Sequence, residues 1–421
     1  MIELLIIADD FTGALDTGAQ FAKDGMATYV VEASRFCLGA IPDETQVLVI
    51  DAQTRHISPE EAYAAVRSLA EEGIYAQIPY LYIKVDSTLR GNIGAYLSAA
   101  IDARGGTARC VLAPALPLLQ RTTRNGRQYV GEKPLDETEI MNDPFTPVSS
   151  SYLPELLAKQ TDIESVLVTA DDVRDLVVRT PQREIAVVDA QTQSDMQQIA
   201  AALIAAPEVI QSGSAGLANE LARCLNVVKQ PYVQKNETHR IFVLSGSLNV
   251  HSQRQIQMAR QNGMPCIVMD EEQKTSADYV HTARGEAFTE QAAALLREQG
   301  ILILQTSVRD AETPTIEAEN GNHLTVAQNV GAVSAEIIRR SGTDTAVVFG
   351  GDTLFGLLDA LNVSGIRPQR ELLPGVVLSE AEYEGAPLRI ISKAGAFGET
   401  DALIRIVRQL TGQVNKQVLT H

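Results

Sequence analysis

Short apolar runs bounded by polar turn residues recur along the chain. They are ELLIIA (3–8), QVLVID (46–51), YLYIKV (80–85), RCVLAP (109–114), SVLVTA (165–170) and EIAVVDA (184–190), then RIFVLS (240–245), PCIVMD (265–270), GILILQT (300–306), TAVVFG (345–350) and LRIISK (388–393). Val and Ile are frequent in them, and most are continuous rather than alternating. That is the pattern of strands buried on both faces of a parallel sheet. Between the runs the apolar spacing becomes helical. In SPEEAYAAVRSLAEEG (58–73), Ser58 stands as N-cap, Pro59 at the first helical position and Glu61 three after the cap, a capping box, and Gly73 marks the end. TVAQNVGAVSAEIIRRSG (325–342) is a second helix, with Arg339 and Arg340 in its last turn. Strands alternating with helices predict an α/β fold with mainly parallel sheets flanked by helices.

A chain of 421 residues exceeds one ordinary core, so two α/β domains are expected. The segment NVVKQPYVQKNETHR (226–240) is polar, holds Pro231 and lacks periodicity, which divides the chain into 1–228 and 238–421. Residues 117–150 also lack a helical period and carry Arg121, Arg124 and Arg127 close together. A long irregular segment inside a compact domain is usually functional or mobile.

Composition narrows the function. No apolar run reaches 18 residues, so no membrane helix is expected, and MIELLIIADD lacks the basic start and cleavage site of a signal peptide. Cys37, Cys110, Cys224 and Cys266 are scattered without a CxxC, as in a cytoplasmic protein with reduced thiols. The six histidines form no HxxxH or HxE cluster, which argues against zinc. A net charge of −18 argues against nucleic acid as a partner. It still allows a small anionic substrate where cations are concentrated locally. Composition leaves the oligomeric state, including a homo-oligomer, open.

Ligands of open parallel sheets bind at the carboxyl ends of strands. In the first half those ends are polar and charged. ADDFTGALDTG places Asp9 and Asp10 at a turn into a helix, where one aspartate would suffice as a cap. DAQTRHIS places Asp51, Thr54 and Arg55 in a loop. KVDSTLRGN gathers Lys84, Val85, Asp86, Ser87, Thr88, Arg90 and Gly91. A lysine at the end of a buried strand is costly unless paired, an arginine can clasp a carboxylate with two bonds, and the hydroxyls suit a sugar.

The second half ends its strands in glycines: SGSLN (245–249), GGDTLFG (350–356) and KAGAFGET (393–400). Backbone N–H groups at such turns cradle phosphates. Neither GxxxxGK[ST] nor GxGxxG occurs, which excludes a P-loop and leaves a dinucleotide fold unsupported. A second SGS, in SGSAGLANELA (212–222), echoes the one at 245, and spacing alone does not separate them. Together the halves suggest phosphoryl transfer from a nucleotide to an anionic alcohol in a cleft between domains, with Mg²⁺ bridging phosphate oxygens.

IADDFTGALDTG, KVDSTLRGN, PALP (114–117), LSGS (244–247), GGDT (350–353) and SKAGAFG (392–398), in this order along the chain, resemble the four-carbon acid sugar kinase family. The likeness is strongest to its D-threonate-phosphorylating members. It implies an N-terminal acid-sugar domain, a C-terminal ATP-binding domain, ATP and Mg²⁺ as cofactors, and 4-phosphorylation of a tetronic acid. D-erythronate, L-threonate and a 3-oxo-tetronate are the alternative substrates, and a non-catalytic sugar-acid sensor is the alternative function. By position, Asp9, Asp10, Arg55, Lys84, Val85, Asp86, Ser87 and Arg90 match substrate-binding residues. Ser245, Ser247, Gly350, Gly351, Asp352, Thr353, Gly395 and Gly398 match nucleotide-binding ones. The resemblance selects the SGS at 245 as the nucleotide motif. Arg55, Arg90 or Lys84 is expected to hold the substrate carboxylate, and Asp86 or Asp10 is the candidate base. Where many relatives have serine after the lysine of the last motif, this chain has Ala394. No metal ligands emerge from the sequence.

Overall fold

The computed structural model describes residues 1–142, 146–230, 238–307, 323–393 and 397–412. The chain divides into two units, Met1–Tyr232 and Val233–His421. Residues 231–237 of the polar segment at 226–240 lie outside the described residues, as does Gly395.

In the first unit the main sheet contains β1 (Leu4–Ala8), β2 (Thr28–Glu32), β3 (Val47–Asp51), β4 (Tyr80–Lys84), β5 (Arg109–Ala113), β9 (Ser165–Thr169), β10 (Glu184–Asp189) and β11 (Ile210–Gly213). They lie in the order β2-β3-β1-β4-β11-β5-β10-β9, all parallel. Strands β1, β3 and β5 are buried at every position, as continuous apolar runs require between two helical layers. The edge strand β9 is only partly covered.

The stretch 117–150 is more ordered than its missing helical period suggests. It contains a small antiparallel sheet of β6 (Arg121–Arg124), β7 (Arg127–Val130) and β8 (Lys133–Pro134). Asn125 and Gly126, at φ 49° and 69°, form the two-residue turn between β6 and β7. An Asn-Gly pair is the sequence signal for such a hairpin.

The second unit holds β12 (Ile241–Ser245), β13 (Cys266–Val268), β14 (Ile301–Gln305), β15 (Thr345–Phe349), β16 (Gly365–Leu373), β17 (Val376–Tyr383) and β18 (Ala386–Lys393). Their order is β13-β14-β12-β15-β18-β17-β16, and β17 runs antiparallel to both of its neighbours. The sheet is therefore mixed. Strand β16, GIRPQRELL, interleaves charged and apolar residues, with only alternate positions buried over its first part, so a search for continuous apolar runs passes over it.

The capping box at Ser58 and Glu61 forms as expected on α2 (Pro59–Tyr75), but Gly73 does not end that helix. It lies inside, where a methyl group would stand 2.3 Å from Leu5 Cδ2. Its smallness lets the helix approach β1. Among the described residues no helix is long and apolar enough to cross a membrane.

Two helices of the second unit, α11 (His323–Ser341) and α12 (Gly351–Ala360), cross at glycines. A methyl group at Gly331 would stand 2.1 Å from the Gly356 carbonyl oxygen, which is backbone and cannot rotate aside. Gly331→Ala is expected to cost about 2–4 kcal/mol by forcing these helices apart, against about 1 kcal/mol for losing the cap in Ser58→Ala. Urea midpoints test the ranking, and an equal or smaller shift for Gly331→Ala contradicts the close crossing.

Candidate active site

The order β3-β1-β4 places three charged strand-ends side by side. Asp9 and Asp10 follow β1, Arg55 lies four residues past β3, and Lys84 is the last residue of β4. Asp10 caps α1 (Phe11–Ala22), its Oδ1 accepting from the Gly13 N–H. Arg55 is buried against both aspartates. Its Nε and one terminal nitrogen donate to Asp9 at 2.8 and 2.9 Å, and both terminal nitrogens donate to Asp10 at 2.7 Å. Burial opposes the charge on Arg55, but Asp10, Asp9 and Asp86 outweigh it and hold the guanidinium firmly protonated. Most of its donors are thus committed within the protein. Asp9 is enclosed, whereas the Asp10 side chain is 27% exposed.

The loop after β4 wraps the same cluster. Asp86 accepts from Thr88 Oγ1 at 2.6 Å and Arg90 Nε at 2.5 Å. Burial would raise its pKa, yet Arg90 and Arg55 hold the carboxyl far below the usual range, so it stays ionised. Such a carboxylate is a poor proton acceptor. Val85 contributes packing and a backbone bond to Gly213 rather than polar chemistry. Gly91, at φ 94°, sits where a methyl group would be 3.1 Å from Asp9 Oδ2, so the turn requires glycine.

Lys84 differs from its neighbours. It is 5% exposed, and its ammonium lies beside Gly13 in the first turn of α1, 2.8 Å from where a methyl group there would be. It has no hydrogen-bond or ion-pair partner among the described residues.

By sequence Arg121 is only one of three nearby arginines. In the structure it donates to Ser87 Oγ at 2.5 Å, and Gln128 Nε2 donates to the Ser87 carbonyl at 2.9 Å. Burial lowers the Arg121 pKa, partly offset by Asp86. Arg124 instead lies over the Tyr129 ring and Arg127 over Tyr152, so the three diverge. Pairing of β6 with β7 gives neighbouring positions on a strand different directions. Asp51, the last residue of β3, is fully buried, and its Oδ2 has no partner among the described residues. Burial first, then Asp10, pushes its carboxyl well above the usual range.

In the second unit β12, β15 and β18 are neighbours and parallel, so their glycine turns share one edge. Gly246 packs on Thr353: a methyl group there would be 1.9 Å from Thr353 Oγ1. Gly350 has φ 112° and precedes α12, with Gly351 and Asp352 in its first turn, Asp352 being exposed. Ser247 Oγ accepts from the Asn249 N–H at 3.3 Å. Gly398 has φ 84° and lies near Lys393. Lys393 is buried, with Nζ 4.8 Å from the Phe349 ring centre, and burial lowers its pKa to about 8.

The two SGS motifs are physically different. At 212–214 the serine hydroxyls turn inward, onto the Ile83 and Ala115 carbonyls at 2.9 Å each. At 245 the hydroxyl is buried without a partner among the described residues.

Residues 4–221 match the family description "Sugar-binding N-terminal domain", and residues 242–403 match "Nucleotide-binding C-terminal domain". A D-threonate kinase of Salmonella typhimurium is 32% identical over 424 residues, covering 96% of this chain and 97% of that one. A D-threonate kinase of Bordetella bronchiseptica is 31% identical, covering 96% of each. A 3-oxo-tetronate kinase of Burkholderia multivorans is 29% identical, covering 96% and 97%. A crystal structure from Salmonella typhimurium described as a putative tRNA synthase superposes with a TM-score of 0.79 at 25% identity, covering 97% of this chain and all of that one. These likenesses, with two α/β units carrying different strand-end chemistry, define a kinase with a sugar-binding and a nucleotide-binding half. The chain belongs to the four-carbon acid sugar kinase family.

Two measurements probe the buried charges. Arg55→Met leaves Asp9 buried without its cation, and a loss of about 3–5 kcal/mol in urea denaturation is expected. Unchanged stability would show that the aspartates do not need Arg55. The raised pKa of Asp51 means that folding stability falls as pH rises from the unfolded value of about 4 towards the folded one. Asp51→Asn removes this slope, so the stability of the variant relative to the parent is expected to increase between pH 4 and pH 8. A relative stability independent of pH would contradict a buried neutral acid.

Proposed function

We propose that this chain is an ATP-dependent kinase that phosphorylates the terminal 4-hydroxyl of a four-carbon sugar acid, D-threonate yielding 4-phospho-D-threonate. The observation that carries this reading is Lys84, a buried lysine beside a helix start with no hydrogen-bond or ion-pair partner among the described residues. An unpaired buried cation calls for an anion. The sugar acid supplies a carboxylate, and the loop after β4 adds Ser87, bonded to Arg121, and Arg90, paired with Asp86. Relatives named D-threonate kinase favour that acid, while relatives named 3-oxo-tetronate and D-erythronate kinase supply the alternatives.

In this reading Arg55 is not the grip on the carboxylate. It fixes Asp9 and Asp10 in place, and Asp10, the more exposed of the two, orients the hydroxyl and accepts its proton. Asp86 keeps Arg90 in position. The second unit holds the nucleotide through the Ser245–Ser247, Gly350–Thr353 and Gly398 turns, whose N–H groups suit phosphate oxygens. Mg²⁺ fits as a metal that arrives with the phosphates, because it needs only one or two protein carboxylates there. Asp352, exposed in the first turn of α12, is the candidate. The ion would neutralise charge developing on the transferred group.

The test is ADP release from ATP and Mg²⁺ across D-threonate, D-erythronate, L-threonate and a 3-oxo-tetronate, ranked by kcat/KM. D-threonate is expected to lead. Lys84→Met should lower kcat/KM for the acid by about 100-fold, and Asp10→Asn should lower kcat by about 100-fold or more. No ADP release with any acid, together with thermal stabilisation by the acid but not by ATP, would favour a sensor and overturn the kinase reading.

A further inference from the structure

Helix α8 (Val250–Gln261) carries the buried polar residues Ser252, Gln253 and Gln255. Each serves a different strand-end. Ser252 Oγ lies 3.5 Å from Lys393 Nζ. Gln253 donates to the Ser247 carbonyl at 2.8 Å and accepts from Gln305 at 2.8 Å. Gln255 is the most unusual of the three. Its Nε2 faces three consecutive carbonyl oxygens, those of Phe397, Gly398 and Glu399, at 3.0, 2.8 and 3.0 Å. Its own Oε1 is buried without a partner among the described residues, so the nitrogen determines how the side chain sits.

This contact dictates where the adjoining amides point. A trans peptide holds its C=O and the next N–H on opposite sides of one plane. Among the described residues there is no cis peptide bond. With the three carbonyls drawn inward to Gln255, the N–H groups of Gly398, Glu399 and Thr400 face the other way. These residues are exposed, and none of the three N–H groups has an acceptor among the described residues. Successive outward N–H groups at a turn with one positive φ form an anion-binding concavity, and Gly398 supplies the positive φ of 84°.

We infer that Gln255 is a positioning residue for the phosphoryl donor: by gathering the 397–399 carbonyls it presents the N–H groups of Gly398, Glu399 and Thr400 to the nucleotide phosphates. It does not itself touch the nucleotide. The inference rests on the Gly398 turn being a nucleotide contact.

The experiment compares Gln255→Met, which keeps the shape and loses the donor, with Gln255→Lys, whose ammonium can still meet the carbonyls. ADP affinity is measured by calorimetric titration, and KM is measured for ATP and for the sugar acid. Gln255→Met is expected to weaken ADP and raise the ATP KM by about 10-fold or more, leaving the sugar-acid KM and kcat within about 2-fold. Gln255→Lys should recover most of the loss. If Gln255→Met does not fold, Gln255→Glu, which turns a carboxylate towards the carbonyls, takes its place with the same readings. ADP binding within about 2-fold of the parent, or equal weakening of both substrates, overturns the positioning role. Gly398→Ala is run in parallel: if it too leaves ADP binding unchanged, the Gly398 turn is not a nucleotide contact. If it weakens ADP while the Gln255 variant does not, only the positioning inference fails.

Discussion

The clasp of Arg55 on Asp9 and Asp10 is the constraint around which the first unit's site is built. Two carboxylates at the end of a buried strand would repel each other and lose hydration. One planar guanidinium reaching back from the loop after β3 meets both, with bonds of 2.7 to 2.9 Å. The contact also sets the loops around it, because Gly91 must be small to pass Asp9, and the backbone N–H groups of Thr54 and Arg55 bond to the Asp9 carbonyl. With Arg55 committed there, the proposed function assigns the meeting of an anion to Lys84 and the residues around Ser87.

The second unit solves a different problem. Phosphate carries several negative oxygens, and in the proposed function backbone N–H groups meet them in a chain that otherwise has an excess of acidic residues. Glycines at Gly246, Gly350 and Gly398 allow the close packing or positive φ that such turns need. Buried side chains then fix which way each turn faces. Thr353 packs into the space at Gly246, Gln253 holds the Ser247 carbonyl, and Gln255 holds the 397–399 carbonyls.

Much of this was legible in the residues. Continuous Val- and Ile-rich runs marked the strands buried on both faces, and the Ser58–Glu61 box marked a helix start. Strands with another signature do not meet that criterion. TYVVE at β2 has only three apolar residues in a row, as does VVLSEAEY at β17, and β16 interleaves charged with apolar residues, so an apolar-run criterion recognises none of them. Gly73 looked like a helix end because glycine has two uses, and the nearby Leu5 that decides between them lies 68 positions away along the chain. Arg121 looked equivalent to Arg124 and Arg127 until a hairpin sent them in different directions.

The sequence by itself determined the α/β class, the polar and glycine-rich characters of the two sets of strand-ends, and the motifs that resemble the family. These depend on residue type and short spacing, which local physics reads directly. The tertiary structure decided which strand-ends are neighbours, because β3 and β4 reach β1 only through crossovers, and β18 reaches β15 only through the fold-back of β16 and β17. It also decided which charges neutralise one another. Among the described residues Arg55 is satisfied and Lys84 is not, Asp86 is ionised and Asp51 is pushed towards its neutral form, and the hydroxyl of Ser212 is bonded while that of Ser245 is not. Such differences arise from burial and from partners distant in sequence, and neither is written into the residue that shows the effect.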